Sequence, residues 1–290
     1  MTAAPPILIA GLRKIADRFD HVLLDQYGVL HEGRAVFPPA RACVEALRSA
    51  GKRVLVLSNS GKRAAENLQR IADHGLPADT YDGVLSSGEV AWDGLRQRAE
   101  PPFSGLGQRC FAITRGRDHS IFDGLALTIV GDMEEADFIL LGGLDDAASD
   151  QKQWEPEFRA AAARHLPLLC ANPDIMMFGA HGFLPGPGAL AAFYASLGGE
   201  VTYIGKPHRA IFTAALHRLG NPSPDRVLMI GDSVKHDILG GRSAGLLTLL
   251  ITSGVHHAAL EHTHDRAAAI RGLAADETEI PHWAMERLAW

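Results

Sequence analysis

The sequence predicts an α/β protein built on parallel sheets. Three observations carry that expectation. Apolar residues come in short continuous runs, the pattern of strands buried on both faces, rather than in strict alternation. These runs alternate with segments of helical periodicity, the order that builds parallel strands joined by helices. Glycine and proline stand at the ends of several helical segments, where they start or stop a helix.

The first strand is expected over 21–25, where Val22-Leu23-Leu24 runs into a lone acid, Asp25. A helix over 39–50 stops at Ala50-Gly51. The strand at 53–58 ends in Ser58-Asn59-Ser60-Gly61 and leads into a helix over 62–74. Further strands are expected at 83–86, 109–114, 137–142 and 167–171, with a helix over 157–165. The stretches "PPFSGLGQ" (101–108) and "LPGPGAL" (184–190) are loop-like, and such composition shifts mark a middle domain. A helix over 188–197 precedes a strand over 201–204, after which Gly205-Lys206-Pro207 opens a helix over 207–219. The strand at 226–231 ends in Gly231-Asp232-Ser233-Val234-Lys235-His236-Asp237, which starts a helix over 234–244. A strand over 246–251 follows, and the final segment, rich in alanine and charge, is expected to be helical.

At 290 residues the chain is long enough for two compact domains, and 47% hydrophobic residues suffice for a sizeable core. A net charge of -6 gives no reason to expect nucleic acid or an anionic membrane surface as a partner. The 14 histidines are scattered, with no HExxH. Cys43, Cys110 and Cys170 are far apart and odd in number, which fits free, mostly buried thiols in a reducing compartment. No apolar run is long enough for a transmembrane helix, and the first twenty residues lack the basic and apolar blocks of a signal peptide. A cytoplasmic protein is expected.

Chemistry gathers at the ends of these strands, as it does in parallel sheets. Asp25, Ser58, Lys206 and Asp232 each follow a strand and precede a helix start, where unpaired backbone N–H groups favour anions. Together they supply the parts for phosphoryl transfer. One carboxylate can attack phosphorus, a second can share Mg²⁺ with it through hard oxygen ligands, and a hydroxyl and an ammonium can hold the phosphoryl oxygens. Each motif alone could be a capped turn; the ordered set is hard to obtain by chance.

The chain resembles the haloacid dehalogenase (HAD) superfamily, in the branch with a large α/β insert between its second and third motifs, subfamily IIA. The resemblance covers almost the whole chain and rests on "DQYGVL" (25–30), "LSNS" (57–60), "GKP" (205–207) and "GDSVKHDI" (231–238), with "ANPD" (171–174) and "GFLPGPGAL" (182–190) as further signals. It implies a Rossmann-like core with a parallel sheet, 1–87 and 200–290, and an inserted α/β cap of the C2 type over 88–199. It further implies Asp25 as a nucleophile that forms an aspartyl-phosphate. Ser58 and the Asn59 backbone would hold the phosphoryl group, and Lys206 would stabilise both Asp25 and the phosphate. Mg²⁺ would be held by Asp25, the backbone carbonyl of Tyr27 and Asp232, with Asp237 ordering its surroundings. Asn172 and Asp174 would border the substrate, a small phosphorylated metabolite, although "NPD" also reads as a structural turn. A homodimer fits the branch.

Tyr27 departs from the family pattern. Phosphatases of this superfamily normally carry there an aspartate that protonates the leaving group. The sequence therefore leaves three readings open. The first is a slow or specialised Mg²⁺-dependent phosphatase, with His31 one candidate for the missing acid against the alternative of an exposed loop histidine. The second is a metal-independent 2-haloacid dehalogenase, an enzyme type with tyrosine in the same place. The third is a phosphate-binding protein with weakened turnover.

Overall fold

The computed structural model describes residues 4–180 and 182–290. Two units emerge along the chain. The first takes the residues up to Ser58, Ala65–Leu85 and Lys206–Trp290, and the second takes Asn59–Ala64 and Ser86–Gly205. The chain begins with β1 (Ile7–Leu8), β2 (His21–Leu24), α1 (Pro38–Ser49), β3 (Arg53–Ser58), α2 (Ala64–Asp73) and β4 (Val84–Ser86). Next come α3 (Ser87–Gln97), β5 (Arg109–Ile113), β6 (Thr128–Val130), β7 (Phe138–Leu141), α4 (Glu155–Ala163) and β8 (Leu168–Cys170). The second unit closes with β9 (Met176–Gly179), β10 (Gly182–Pro185), α5 (Pro187–Ser196) and β11 (Val201–Tyr203). The chain returns through α6 (Arg209–Arg218), β12 (Val227–Gly231), α7 (Leu239–Ser243), β13 (Leu247–Ile251), α8 (His257–Leu260), α9 (Arg266–Leu273) and β14 (Trp283–Met285).

In the first unit the strands lie in the order β1-β14-β13-β12-β2-β3-β4, with parallel pairing from β1 through to β3. Val22–Leu24 of β2, Val54–Leu57 of β3 and Leu228–Ile230 of β12 are at most 1% exposed. That burial explains the continuous apolar runs, and each such side chain removed from water contributes about 1.5–3 kcal/mol. After β2 the chain lays β3 on one side, and much later lays β12 on the other. The order of strands thus reverses at β2, which places the end of β2 at a crevice of the kind where open α/β sheets bind ligands. α1 covers this sheet with Ala40, Cys43, Val44 and Leu47, buried at i, i+3, i+4 and i+7.

The second unit has its own parallel sheet, in the order β11-β8-β7-β5-β6, and an antiparallel hairpin of β9 and β10. Phe158 is central to its core, fully buried, with the rings of Tyr194 and Trp154 at 4.8 and 5.6 Å. The Tyr194 hydroxyl is satisfied by donating to the Leu166 carbonyl at 2.6 Å.

All nine expected strands form, but one belongs elsewhere. β11 was expected in the core with Lys206; it pairs instead with β8, at the edge of the second sheet. The helix α3 has no counterpart in the sequence reading, because Gly88 and Gly94 lower its propensity. Packing requires both glycines. A Cβ at Gly88 would lie 2.1 Å from the Gly61 carbonyl oxygen, and one at Gly94 would lie 2.3 Å from the Phe103 ring. β1, β6 and β14 are two or three residues long, too short to show a period. The final segment is helical over α8 and α9; it then yields β14, whose Trp283 lies between Leu249 and Ile7 in the sheet. Cys43, Cys110 and Cys170 are free and buried, as expected. Among the described residues no helix is long and apolar enough to cross a membrane.

The loop after β2 is fastened by His31, which is 3% exposed rather than a surface histidine. The Gly33 N–H donates to its Nδ1 at 2.9 Å, so the proton of the neutral ring sits on Nε2. The Gln26 amide stands 3.0 Å from Nε2, and only with its oxygen turned toward the ring can it accept that proton. Burial, helped by His74 with its ring 4.6 Å away and by Arg70, pushes the His31 pKa down to about 4.

Phe158→Ala should cost about 3–5 kcal/mol, the usual range for emptying a buried aromatic site, read as a lower midpoint in urea denaturation. His31 supplies a pH test. Unfolded, its ring binds a proton near 6.5, whereas folded it stays neutral down to about 4. The unfolded chain therefore holds the extra proton in that window, and the fold loses stability as pH falls through it. His31→Gln should flatten the acid side of a plot of Tm against pH; an unchanged slope would show that the imidazole is not a source of acid lability.

Candidate functional site

Asp25 is the first residue after β2, and its N–H donates to the Ile230 carbonyl of β12 at 2.9 Å. Asp232 follows β12 directly, so the two carboxylates stand on neighbouring strand ends. Ser58 ends β3 on the other side of β2 and is 8% exposed. Lys206 leads the chain back into the first unit. Its Nζ donates to Asp25 Oδ1 at 2.6 Å and to Asp237 Oδ1 at 2.7 Å.

Glycines permit this crowding. Gly28 has φ 78, and a Cβ there would come within 2.0 Å of Asp232 Oδ2. At Gly231 a Cβ would come within 2.0 Å of Asp237 Cγ. The turn that starts at Ser233 completes the frame: its Oγ accepts from the His236 N–H at 3.2 Å, while its own N–H donates to Asp237 Oδ2 at 3.1 Å.

One or more oxygens of Asp25, Asp232 and Asp237 lie within 4.8 Å of one another. Three carboxylates around a single ammonium leave negative charge in excess. Burial, with the Asp237 charge adding to it and Lys206 opposing it, pushes the Asp25 carboxyl up to about 7. Burial and the neighbouring Asp25 and Asp237 likewise raise Asp232 well above the usual carboxylate range. Burial works against the Lys206 charge, but Asp237 and Asp25 outweigh it and hold the ammonium above its ordinary value. A set of buried hard oxygen donors with surplus negative charge suits a divalent cation such as Mg²⁺. The donor chemistry therefore fits the metal that the resemblance implies.

Tyr27 is 46% exposed, and its ring meets His31 edge-on at 6.1 Å. Burial, then Glu32 and Asp232, push its phenol above the ordinary value. Its carbonyl precedes Gly28, the residue packed on Asp232.

The remaining residues singled out in the sequence gather in the second unit. Asn59 Nδ2 donates to Asp174 Oδ1 at 2.8 Å. Asn172 Oδ1 accepts from the Asp174 N–H at 3.1 Å, so Asn172 builds the turn of "NPD".

The sequence reading passed over the loop after β13. The Val255 N–H donates to Asp232 Oδ2 at 2.9 Å, and a Cβ at Gly254 would lie 2.1 Å from the same oxygen. The available signal was Gly254 shortly after a strand that borders the one ending at Asp232.

Comparison with known proteins agrees with this arrangement. The "Haloacid dehalogenase-like hydrolase" family model matches residues 22–128, and a second HAD-hydrolase-like model matches residues 203–275. A haloacid dehalogenase-like family hydrolase from Brucella suis 1330 is 32% identical, with a TM-score of 0.80 over 97% of this chain and 100% of that one. Chronophin of Rattus norvegicus is 28% identical over 294 residues, 97% of this chain and 89% of the relative. The ribonucleotide monophosphatase NagD of Escherichia coli K12 is 29% identical over 239 residues, 81% of this chain and 88% of the relative. With a family match across the full length of a solved relative and the motif residues assembled at one sheet edge, the chain belongs to the haloacid dehalogenase-like hydrolases, in subfamily IIA.

Proposed function

We propose that the protein is a Mg²⁺-dependent phosphatase of a small phosphorylated metabolite, acting through an aspartyl-phosphate on Asp25. The observation that carries this reading is the Lys206 ammonium held between Asp25 and Asp237, with Asp232 beside them. A haloacid has no need of so many buried carboxylates, whereas a phosphate with a divalent cation balances them. The ribonucleotide monophosphatase among the relatives supports the same class of substrate.

In this reading an Asp25 oxygen attacks phosphorus, the bond to the leaving oxygen breaks, and water then frees phosphate from Asp25. Lys206 fixes the orientation of Asp25 and offsets the charge that builds on the phosphoryl oxygens. The Ser58 hydroxyl and the Asn59 backbone N–H hold those oxygens. Asp25, the Tyr27 carbonyl and Asp232 would hold Mg²⁺, and Asp237 keeps Lys206 in place. When bound, the metal would supply positive charge that draws the phosphoryl group toward the nucleophile. The second unit, which takes in the expected span 88–199 and β11, acts as the cap that excludes water. His31 is left out of the chemistry, because it is buried and neutral with both ring nitrogens engaged.

Phosphate release from a panel of phosphorylated metabolites should require Mg²⁺, stop in EDTA, and fall to background in Asp25→Asn. Lys206→Met should lower kcat by about 10²–10³, the range for removing one preorganised charge-stabilising donor. Tyr27 keeps one other reading in view: halide release from 2-haloacids that survives EDTA would replace the phosphatase with a dehalogenase.

A further inference from the structure

We infer that Tyr27 confines this site to phosphoryl donors whose leaving group departs as a weak base, such as acyl phosphates and phosphoric anhydrides, and discriminates against alkyl monoesters. The inference rests on the phosphatase reading and deepens it by naming the substrate class.

The proton requirement decides the matter. When the Asp25 oxygen bonds to phosphorus, the electron pair of the broken P–O bond goes to the leaving oxygen. An alkoxide is so strong a base that it must take a proton as it leaves, and a positioned acid contributes about 10²–10⁴ in rate. A carboxylate or phosphate leaves as a stable anion and takes none. Attack on the aspartyl-phosphate then obeys the same rule: water bonds to phosphorus, the Asp25 carboxylate departs without a proton, and the water's proton passes to solvent. The intermediate is itself an acyl phosphate, so this half-reaction already belongs to the proposed class.

The described polar groups nearest Asp25 in the first unit are tied to other partners. Tyr27 stands where the resemblance expects an aspartate, and its longer side chain lies along the loop, with the ring edge-on to His31 and Cε2 beside Gly33. Lys206 is committed to Asp25 and Asp237. Asp237 accepts on both oxygens, from Lys206 and from the Ser233 N–H. Asp232 accepts from the Val255 N–H. His31 has one ring nitrogen on the Gly33 N–H and the other on Gln26.

The test is steady-state phosphate release by the full chain with Mg²⁺ from acetyl phosphate, a series of substituted phenyl phosphates and glycerol 3-phosphate, corrected with Asp25→Asn. Wild type should prefer acetyl phosphate to glycerol 3-phosphate by about 10² or more in kcat/KM, the lower bound set by a missing acid. Its rates on the phenyl series should fall steeply as leaving-group pKa rises. Tyr27→Asp should raise kcat on glycerol 3-phosphate and flatten that slope. A shallow slope in wild type, a measurement that needs no variant, would overturn the inference while leaving the phosphatase reading intact. So would loss of glycerol 3-phosphate turnover in Tyr27→Phe, which would make the phenol the donor. Absence of phosphate release from every compound would overturn both.

Discussion

The Lys206 ammonium between Asp25 and Asp237 is the interaction on which the site depends. Each of these groups alone would be costly to bury, and removing one partner of a buried ion pair strands the other. Held together they are mutually required: the ammonium stays charged because two carboxylates face it, and the carboxylates tolerate burial because the ammonium lies between them. Asp232 adds a third carboxylate to this group, with oxygens of all three within 4.8 Å of one another, more acid than the one ammonium matches.

Backbone geometry makes such closeness possible. Gly28, Gly231 and Gly254 present bare Cα atoms to the carboxylates of Asp232 and Asp237, so these carboxylates pack against main chain rather than against side chains. Main-chain N–H groups at Ser233 and Val255 then fix their orientation. The strand ends supply position and the glycines supply approach; neither alone would bring the acidic groups within reach of a single ion.

Much of this was legible in the sequence because parallel strands buried on both faces leave continuous apolar runs, and because functional groups at their ends stand out against those runs. Asp25, Ser58 and Asp232 fall where that logic places them. The logic is weaker where an element is short or its glycines serve packing. β14 has three residues, and α3 is interrupted by Gly88 and Gly94, so neither announces itself. The strand before Lys206 shows a different limit. An apolar run reveals that a strand is buried but not which sheet it joins, so β11 could be placed only from its pairing with β8. His31, open in the sequence between a candidate acid and an exposed loop histidine, is buried because of Gln26, Gly33 and His74, contacts that residue spacing does not encode.

The reversal of strand order at β2 also bears on how the molecule acquires its activity during synthesis. β2 and β3 can pair early, but β12 and Lys206 emerge only after the whole span Ser86–Gly205 has been made. A nascent chain therefore carries Asp25 with half of its sheet missing and no ammonium to face it. An insert that has already folded holds its two ends at a fixed separation, which reduces the loop-closure entropy of joining β12 to β2. The Asp25 carboxylate and the Lys206 ammonium can thus meet only near the completion of the polypeptide, so that translation itself sets when this ion pair forms.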